Sequence, residues 1–373
     1  MSSEETAATP TVDDSLSRVA QCWNRTTASR SEHPFRGWLD SYHVASERLN
    51  ARVTGAPSVN WLVGLARRLE VPSSSRWLSI GCGAAGQEIG AAQEGLFAHL
   101  DAIDIAPAAL EEARRVAAAA GVGNVTFREL DFHRLEPRPE SYDVVFMNMS
   151  LHHVAELDQL LSRIAASLTP NGFFLLNEYI GPSQFQFGDR QLSIVRDLLK
   201  ALPEELRQDL TTGTTKTCYE RRPVDYWNAV DPSEAVRSES IVPTLELYFD
   251  VVERIDYGGT ILHLLLEHVI HNFDEGNAHH LAILRLLGGI EDVLIGQGVL
   301  ASDFTVMALR RKDAPPRPAR EPVTAPPAPA SADADVAFLR RELAAARAYL
   351  RSVESSRGWR LLQGIRGLFG RRW

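Results

Sequence analysis

The sequence predicts an α/β fold: a seven-stranded, mostly parallel sheet with helices on both faces. Two observations carry this. From Arg76 to about Lys312, short apolar runs alternate with amphipathic helical stretches, the pattern of strands joined by crossover helices. The first run, Trp77-Leu78-Ser79-Ile80, leads straight into Gly81, Gly83 and Gly86 at GxGxxG spacing, followed by alanine-rich sequence suited to a helix. Such a corner lets a ligand lie on bare backbone beside the positive end of a helix.

The other elements follow in order. Strand Leu100–Asp104 ends on an acidic residue, and Pro107 suits the first turn of helix Ala108–Ala120, which Gly121 stops. Asn124–Leu130 is a third strand, ending at Asp131, and Tyr142–Asn148 a fourth. A helix with Leu157, Leu160, Leu161, Ile164 and Leu168 on one stripe comes next. Thr169-Pro170-Asn171-Gly172 breaks it before the fifth strand, Phe173–Tyr179. Residues 181–240 read as a long, mainly helical insertion. Phe249–Ile255 and Asp303–Arg310 supply the last strands, with helices Leu262–Asn272 and Ala278–Gln297 between them.

Composition sets the organisation around this domain, 76–312. Residues 1–14 are polar, acidic and expected to be disordered, and residues 15–75 form a helical cap with aromatics Trp23, Phe35, Trp38, Tyr42 and Trp61. Residues 313–335 hold seven prolines among alanines, an extended linker. In 336–373, Val336, Leu339, Leu343, Ala346, Leu350 and Val353 make a short coiled-coil seam before a basic, aromatic tail. That last stretch has nine arginines and two glutamates, +7, so a net charge of −9 leaves −16 on residues 1–335. An acidic body repels a phosphate backbone and argues against nucleic acid as substrate. Three dispersed cysteines, Cys22, Cys82 and Cys218, suit a reducing cytoplasm, and no stretch reads as a secretory signal or membrane span.

The chemistry-bearing residues cluster at strand ends. Asp104, eighteen residues after Gly86, is placed to accept hydrogen bonds from both hydroxyls of a ribose; a helix N-cap is its bland alternative. Asp131, beside Phe132, suits the exocyclic amine of a stacked adenine, or is an ordinary loop aspartate.

The order of these features resembles the class I S-adenosylmethionine-dependent methyltransferases, which have a Rossmann-like sheet. Leu78-Ser-Ile-Gly-Cys-Gly83 is similar to their first motif, Ala102-Ile-Asp-Ile105 to their ribose-binding strand end and Glu129-Leu-Asp-Phe132 to their adenine contact. Asp143-Val-Val-Phe-Met-Asn-Met-Ser-Leu-His-His-Val154 and Leu168-Thr-Pro-Asn-Gly-Phe-Phe-Leu-Leu176 are similar to their fourth and fifth strands. The resemblance implies S-adenosyl-L-methionine as cofactor, held by Gly81, Cys82, Gly83, Gly86, Glu88, Asp104, Ile105, Asp131, Phe132 and Asn148. The family usually has an acidic residue two places before the first glycine. Here that place is Ser79, with Glu88 and the carbonyls of the turn as substitutes for holding the methionine amino group. A nicotinamide dehydrogenase shares the glycines but does not account for Asp131-Phe132 or the Ser-Leu-His-His loop.

For the reaction, His152 and His153 follow the fourth strand at the edge where ligands bind, and histidine titrates near neutral pH. They are candidates for the base that deprotonates an alcohol acceptor, the alternative being a pocket wall; Glu178 and Tyr179 end the fifth strand at the same edge. Phe185, Gln186, Phe187 and Arg190 are placed to line an acceptor pocket, and Asp231–Arg237 to meet a hydroxyl-rich acceptor or start a helix. His263, His268, His271, His279 and His280 lack a carboxylate pattern, so no metal is expected. No Asn-Pro-Pro-Tyr motif follows the fourth strand, against amino-group methylation of nucleobases or glutamine. Ser355–Arg366 is similar to the ends of bacterial surface-polysaccharide enzymes. The expected function is thus O-methylation of a sugar or other hydroxyl-bearing small molecule. Other small metabolites, such as polyketides or phenols, and a non-catalytic role in glycan assembly are the alternatives. Expected partners are the acceptor, an anionic membrane surface or assembly partner through the tail, and a second copy of the chain.

Overall fold

In the computed structural model, residues 42–314 are described. The expected disordered start, the aromatics Trp23, Phe35 and Trp38, the linker and the coiled-coil tail lie outside them.

The sheet has the order β3-β2-β1-β4-β5-β7-β6. Its strands are β1 (Arg76–Ile80), β2 (His99–Asp104), β3 (Val125–Glu129), β4 (Tyr142–Asn148), β5 (Leu168–Tyr179), β6 (Phe249–Gly258) and β7 (Phe304–Arg311). Only β7 runs against its neighbours, pairing antiparallel with both β5 and β6. This is the mostly parallel seven-stranded fold expected from the sequence. Chain order reverses between β1 and β4, a switch point that opens a crevice at their carboxyl ends.

Helices α1 (His43–Thr54), α2 (Trp61–Arg68), α3 (Gly86–Gln93) and α4 (Pro107–Ala119) precede the midpoint of the chain. The later ones are α5 (Leu157–Ser167), α6 (Asp189–Ala201), α7 (Val224–Val230), α8 (Ile241–Tyr248), α9 (Leu262–Leu266) and α10 (Ala278–Gly296). Val144, Val145, Phe146 and Met147 of β4 are all fully buried, because successive side chains enter the cores on opposite faces. Trp61, Leu65, Trp77, Ala102, Val144 and Phe146 belong to one core. Leu78, Ile80, Val145, Met147 and the apolar stripe of α5 belong to the other. A third core lies around Tyr179, Phe187, Val195, Leu199, Leu265 and Phe304, under the insertion.

Three details differ from expectation. Thr169–Gly172 does not separate helix from strand: Leu168 already pairs with Tyr142, and a bulge between Tyr142 and Val144 absorbs the extra residues. The expected helix Leu262–Asn272 is two pieces, since His268 has φ 59° and the Lys216 ammonium caps the carbonyls of Leu264 and Glu267, both at 2.7 Å. The insertion is less helical than expected. Between α6 and α7, apart from the short turn Glu204–Arg207, it is irregular chain pinned by one bridge, Gln208 to Thr215. Helix α1 is bound to the body by Arg48, which donates to Glu291 at 2.9 Å and to Asp292 at 2.6 Å on α10.

Candidate active site

The turn after β1 is shaped by positive φ at Gly81 (72°), Gly83 (51°) and Ala85 (56°). At Gly81 a Cβ would sit 2.6 Å from that of Ser150, so glycine is needed for β1 and β4 to end side by side. Above Gly83 and Gly86, by contrast, a Cβ would meet no atom within 4 Å. The amides of Gly81 and Cys82 donate to the Ile103 carbonyl, which ties the turn to β2. Asp104 accepts from the amides of Gly83 (2.7 Å) and Ala106 (2.8 Å), and burial, opposed by these bonds, raises its pKa. Ile105, half-buried, follows it.

Glu88, on the first turn of α3, is 3% exposed and accepts from the Ser79 hydroxyl at 2.6 Å. Burial, opposed by that bond, pushes its pKa up to about 7. The residue that breaks the expected pattern and its substitute are therefore bonded to each other. At the next strand end, Asp131 Oδ1 accepts from the His133 backbone at 2.8 Å. Asp131 Oδ2 is buried without a hydrogen-bond partner; the Arg134 guanidinium is 3.9 Å away. Phe132 packs, partly buried, beside it.

Beyond the carboxyl edge is a cavity of about 1610 Å³. It is larger than the ~300–1,000 Å³ usual for small-molecule sites. Its wall takes Arg48 from α1, Gln87 from α3 and Asn148 from β4. It also takes Phe185, Tyr219 and Trp227 from the insertion, His263 from α9 and Phe304 from β7. Phe185 is the hub, with ring centroids 5.0 Å from Trp227, 5.1 Å from Tyr179 and 5.8 Å from Phe187. Phe187 is fully buried behind it, Gln186 bonds to the carbonyls of Gln184 and Arg222, and Arg190 does not line the wall. Asn148 accepts from Asn177, which accepts from the Tyr257 hydroxyl, and Asn148 lies on the cavity wall. The Tyr179 hydroxyl donates to the Pro182 carbonyl, so this residue shapes the wall.

His152 and His153 lie on a single turn after β4, both nearly buried, their rings 4.1 Å apart. His152 Nδ1 is 2.5 Å from Glu178 Oε1, and its Nε2 is 3.5 Å from Glu234. Glu178 is fully buried and also accepts from the amides of Ser150, Leu151 and Tyr179. Although burial acts to lower it, the Glu178 carboxylate lifts the His152 pKa to about 9. His153 shifts down, through burial and the charge of His152, and its Nδ1 is 3.1 Å from the Ser233 hydroxyl. The five histidines weighed for a metal are not gathered into one group among the described residues. A group that is gathered is His152, His153 and Glu234, each with a ligand-type atom within 4.8 Å of the others'.

Ser233 and Glu234 were not singled out individually by sequence, although the polar run Asp231–Arg237 marked their neighbourhood. Lys216 and Trp227 carried no signal of their own.

Residues 73–235, which span the glycine turn, the histidine pair and Asp231–Glu234, match a family described as a methyltransferase domain. That stretch is therefore similar to a methyltransferase domain. Its cofactor is S-adenosyl-L-methionine, and the domain fits it: open space over Gly83 and Gly86, two acidic strand ends and an orphaned Asp131 oxygen. Among solved structures, the domain is similar to the geranyl diphosphate C-methyltransferase of Streptomyces coelicolor A3(2). That match has 12% identity, covers 82% of this chain and 100% of that one, and has a TM-score of 0.45. It is also similar to an S-adenosylmethionine dependent methyltransferase of Mesorhizobium loti, with 13% identity, coverage of 67% and 97%, and a TM-score of 0.37. Among the described residues, no helix is long and apolar enough to cross a membrane.

Proposed function

We propose that the chain O-methylates a sugar, or another hydroxyl-bearing small molecule, bound in the cavity beside the histidine pair. The observation that carries this reading is the buried His152–Glu178 pair with His153, opening onto a cavity at the carboxyl edge where the glycine turn also lies. When bound, S-adenosylmethionine supplies an electrophilic methyl group. Asp104 holds the ribose hydroxyls, Asp131 Oδ2 the adenine amine, and Glu88, braced by Ser79, the methionine ammonium. The wall aligns the acceptor oxygen, and alignment supplies much of the rate. The histidine pair takes the hydroxyl proton as the oxygen–carbon bond forms, a step worth about 10²–10⁴-fold.

A cavity of about 1610 Å³ exceeds what one hexose needs, which favours a sugar on a carrier or within a larger molecule. A second reading, a polyketide-like or phenolic acceptor, is favoured by the rings of Phe185, Trp227, Tyr219 and Phe304 on that wall. Surface-polysaccharide biosynthesis, a cytoplasmic location and membrane docking through the tail belong to the first reading. So does the division into cap, domain, linker and tail.

Methyl transfer from radiolabelled cofactor into fractionated extract tests the choice. Label in nucleotide sugars or lipid-linked glycans supports the sugar reading, and label in apolar metabolites the second. Binding of cofactor with no label in any fraction rejects both.

A further inference from the structure

We propose that His153, not His152, is the proton acceptor, and that Asp231 and Ser233 of the insertion hold it in the tautomer that can accept. This rests on the reading of the site above and deepens it, naming the base and its positioning residues.

A serine hydroxyl has one proton to give. That of Ser233 points at Asp231 Oδ1, 2.6 Å away, in a carboxylate that also accepts the Ser233 amide at 3.0 Å. Towards His153 Nδ1 the same oxygen is therefore an acceptor, so Nδ1 carries the ring's hydrogen and Nε2 the lone pair. His152 is held in the opposite way. One of its nitrogens meets the fully buried Glu178 and the other approaches Glu234, so both are drawn to carry hydrogen. At rest, two rings 4.1 Å apart do not both hold a positive charge at neutral pH; the second charge forms only in the transfer step, where the Asp231 and Glu234 carboxylates stand to offset it. The titratable groups around the pair include Asp104 on β2, Glu178 and Tyr179 on β5, Asp231 and Glu234 after α7, and His263 on α9, and burial keeps His263 neutral. Two like side chains are thus driven apart in protonation, the arrangement that separates acid from base roles in active sites. His152 remains a fixed cation, and His153 takes the proton on Nε2 as the acceptor oxygen bonds to the methyl carbon and the sulfur–methyl bond breaks.

The insertion also docks on this turn through its backbone, the Val236 amide donating to the His152 carbonyl at 3.2 Å. The segment that follows the acceptor wall therefore sets the base.

The test is two-bond proton–nitrogen correlation on full-length protein labelled with 15N-histidine, with His152→Gln and His153→Gln supplying assignments. Expected at neutral pH are a cationic His152 and a neutral His153 protonated on Nδ1. Ser233→Ala should mix the His153 tautomers and Ser233→Thr restore the single form, while Glu178→Gln should discharge His152. Once an acceptor is found, Ser233→Ala should lower kcat by about tenfold or more at unchanged cofactor Kd. A cationic His153, an Nε2-protonated His153, or no response to Ser233→Ala overturns the inference. So does uptake of one Zn2+ that shifts both rings together, which would mark His152, His153 and Glu234 as a cation site. The tautomers are read without acceptor. Correct tautomers with no methyl transfer would reject the function alone, and transfer with the wrong tautomers would reject this inference alone.

Discussion

In the proposed reading, the cofactor side of the site comes from one short stretch of chain, residues 81–132, while the acceptor side gathers Arg48, His152, Phe185, Trp227, His263 and Phe304 from across the molecule. On the first side backbone conformation does the shaping: positive φ at three positions and amides bonded to Asp104 and Ile103. On the second side, side chains do it: a ring cluster around Phe185 and buried charges around two histidines. A cradle for an invariant cofactor can be local, whereas an acceptor wall assembled from separate segments can change without disturbing the cradle.

The largest test of this contrast is Glu178→Ala. It leaves a buried imidazole without its anion and strands three amides, which should cost about 3–5 kcal/mol of stability by denaturant unfolding. The pH dependence carries the same sign. A histidine raised from 6.5 to about 9 adds stability that is complete below pH 6.5 and is lost as pH rises through 9. In Glu178→Gln that slope should flatten.

On the cofactor side the corresponding window lies lower. Glu88, raised from 4.5 to about 7, favours the folded state below pH 4.5 and loses that contribution as pH rises through 7. Glu88→Gln should remove this slope, an effect on the order of 3 kcal/mol. It should also abolish any tightening of S-adenosylmethionine binding across neutral pH, measured by calorimetry. Binding that tightens equally in the variant would take the ammonium away from Glu88.

Asp104→Ala should weaken cofactor binding by about 1.5–3 kcal/mol, roughly 10–150-fold, from lost bonds to a charged acceptor. Acceptor KM should move far less. Phe185→Ala should do the reverse, at about 1 kcal/mol, raising acceptor KM roughly fivefold with cofactor Kd unchanged. If either variant disturbs both ligands equally, the two sides are not separable.

Much of the sheet was legible because its signals are local. Apolar runs in β1, β4 and β5 sit within a few residues of the observed strands, and Tyr142–Asn148 matches at both ends. The insertion was less legible. Helical sequence beyond it, Leu262–Asn272, is interrupted by capping from afar, where Lys216 of the insertion closes the end of α9. Ser233 and Glu234 look like loop residues until folding sets them against a turn some eighty positions earlier.

The sequence by itself placed the proposed cofactor site, because parallel strands bring their carboxyl ends to one edge and so collect Gly81, Asp104 and Asp131 there. What it left open is the state of two adjacent histidines with the same side chain. Only the tertiary structure decided that, since protonation depends on which carboxylates and hydroxyls lie within a few ångströms. Those partners, Glu178, Ser233 and Asp231, arrive from another strand and from the insertion.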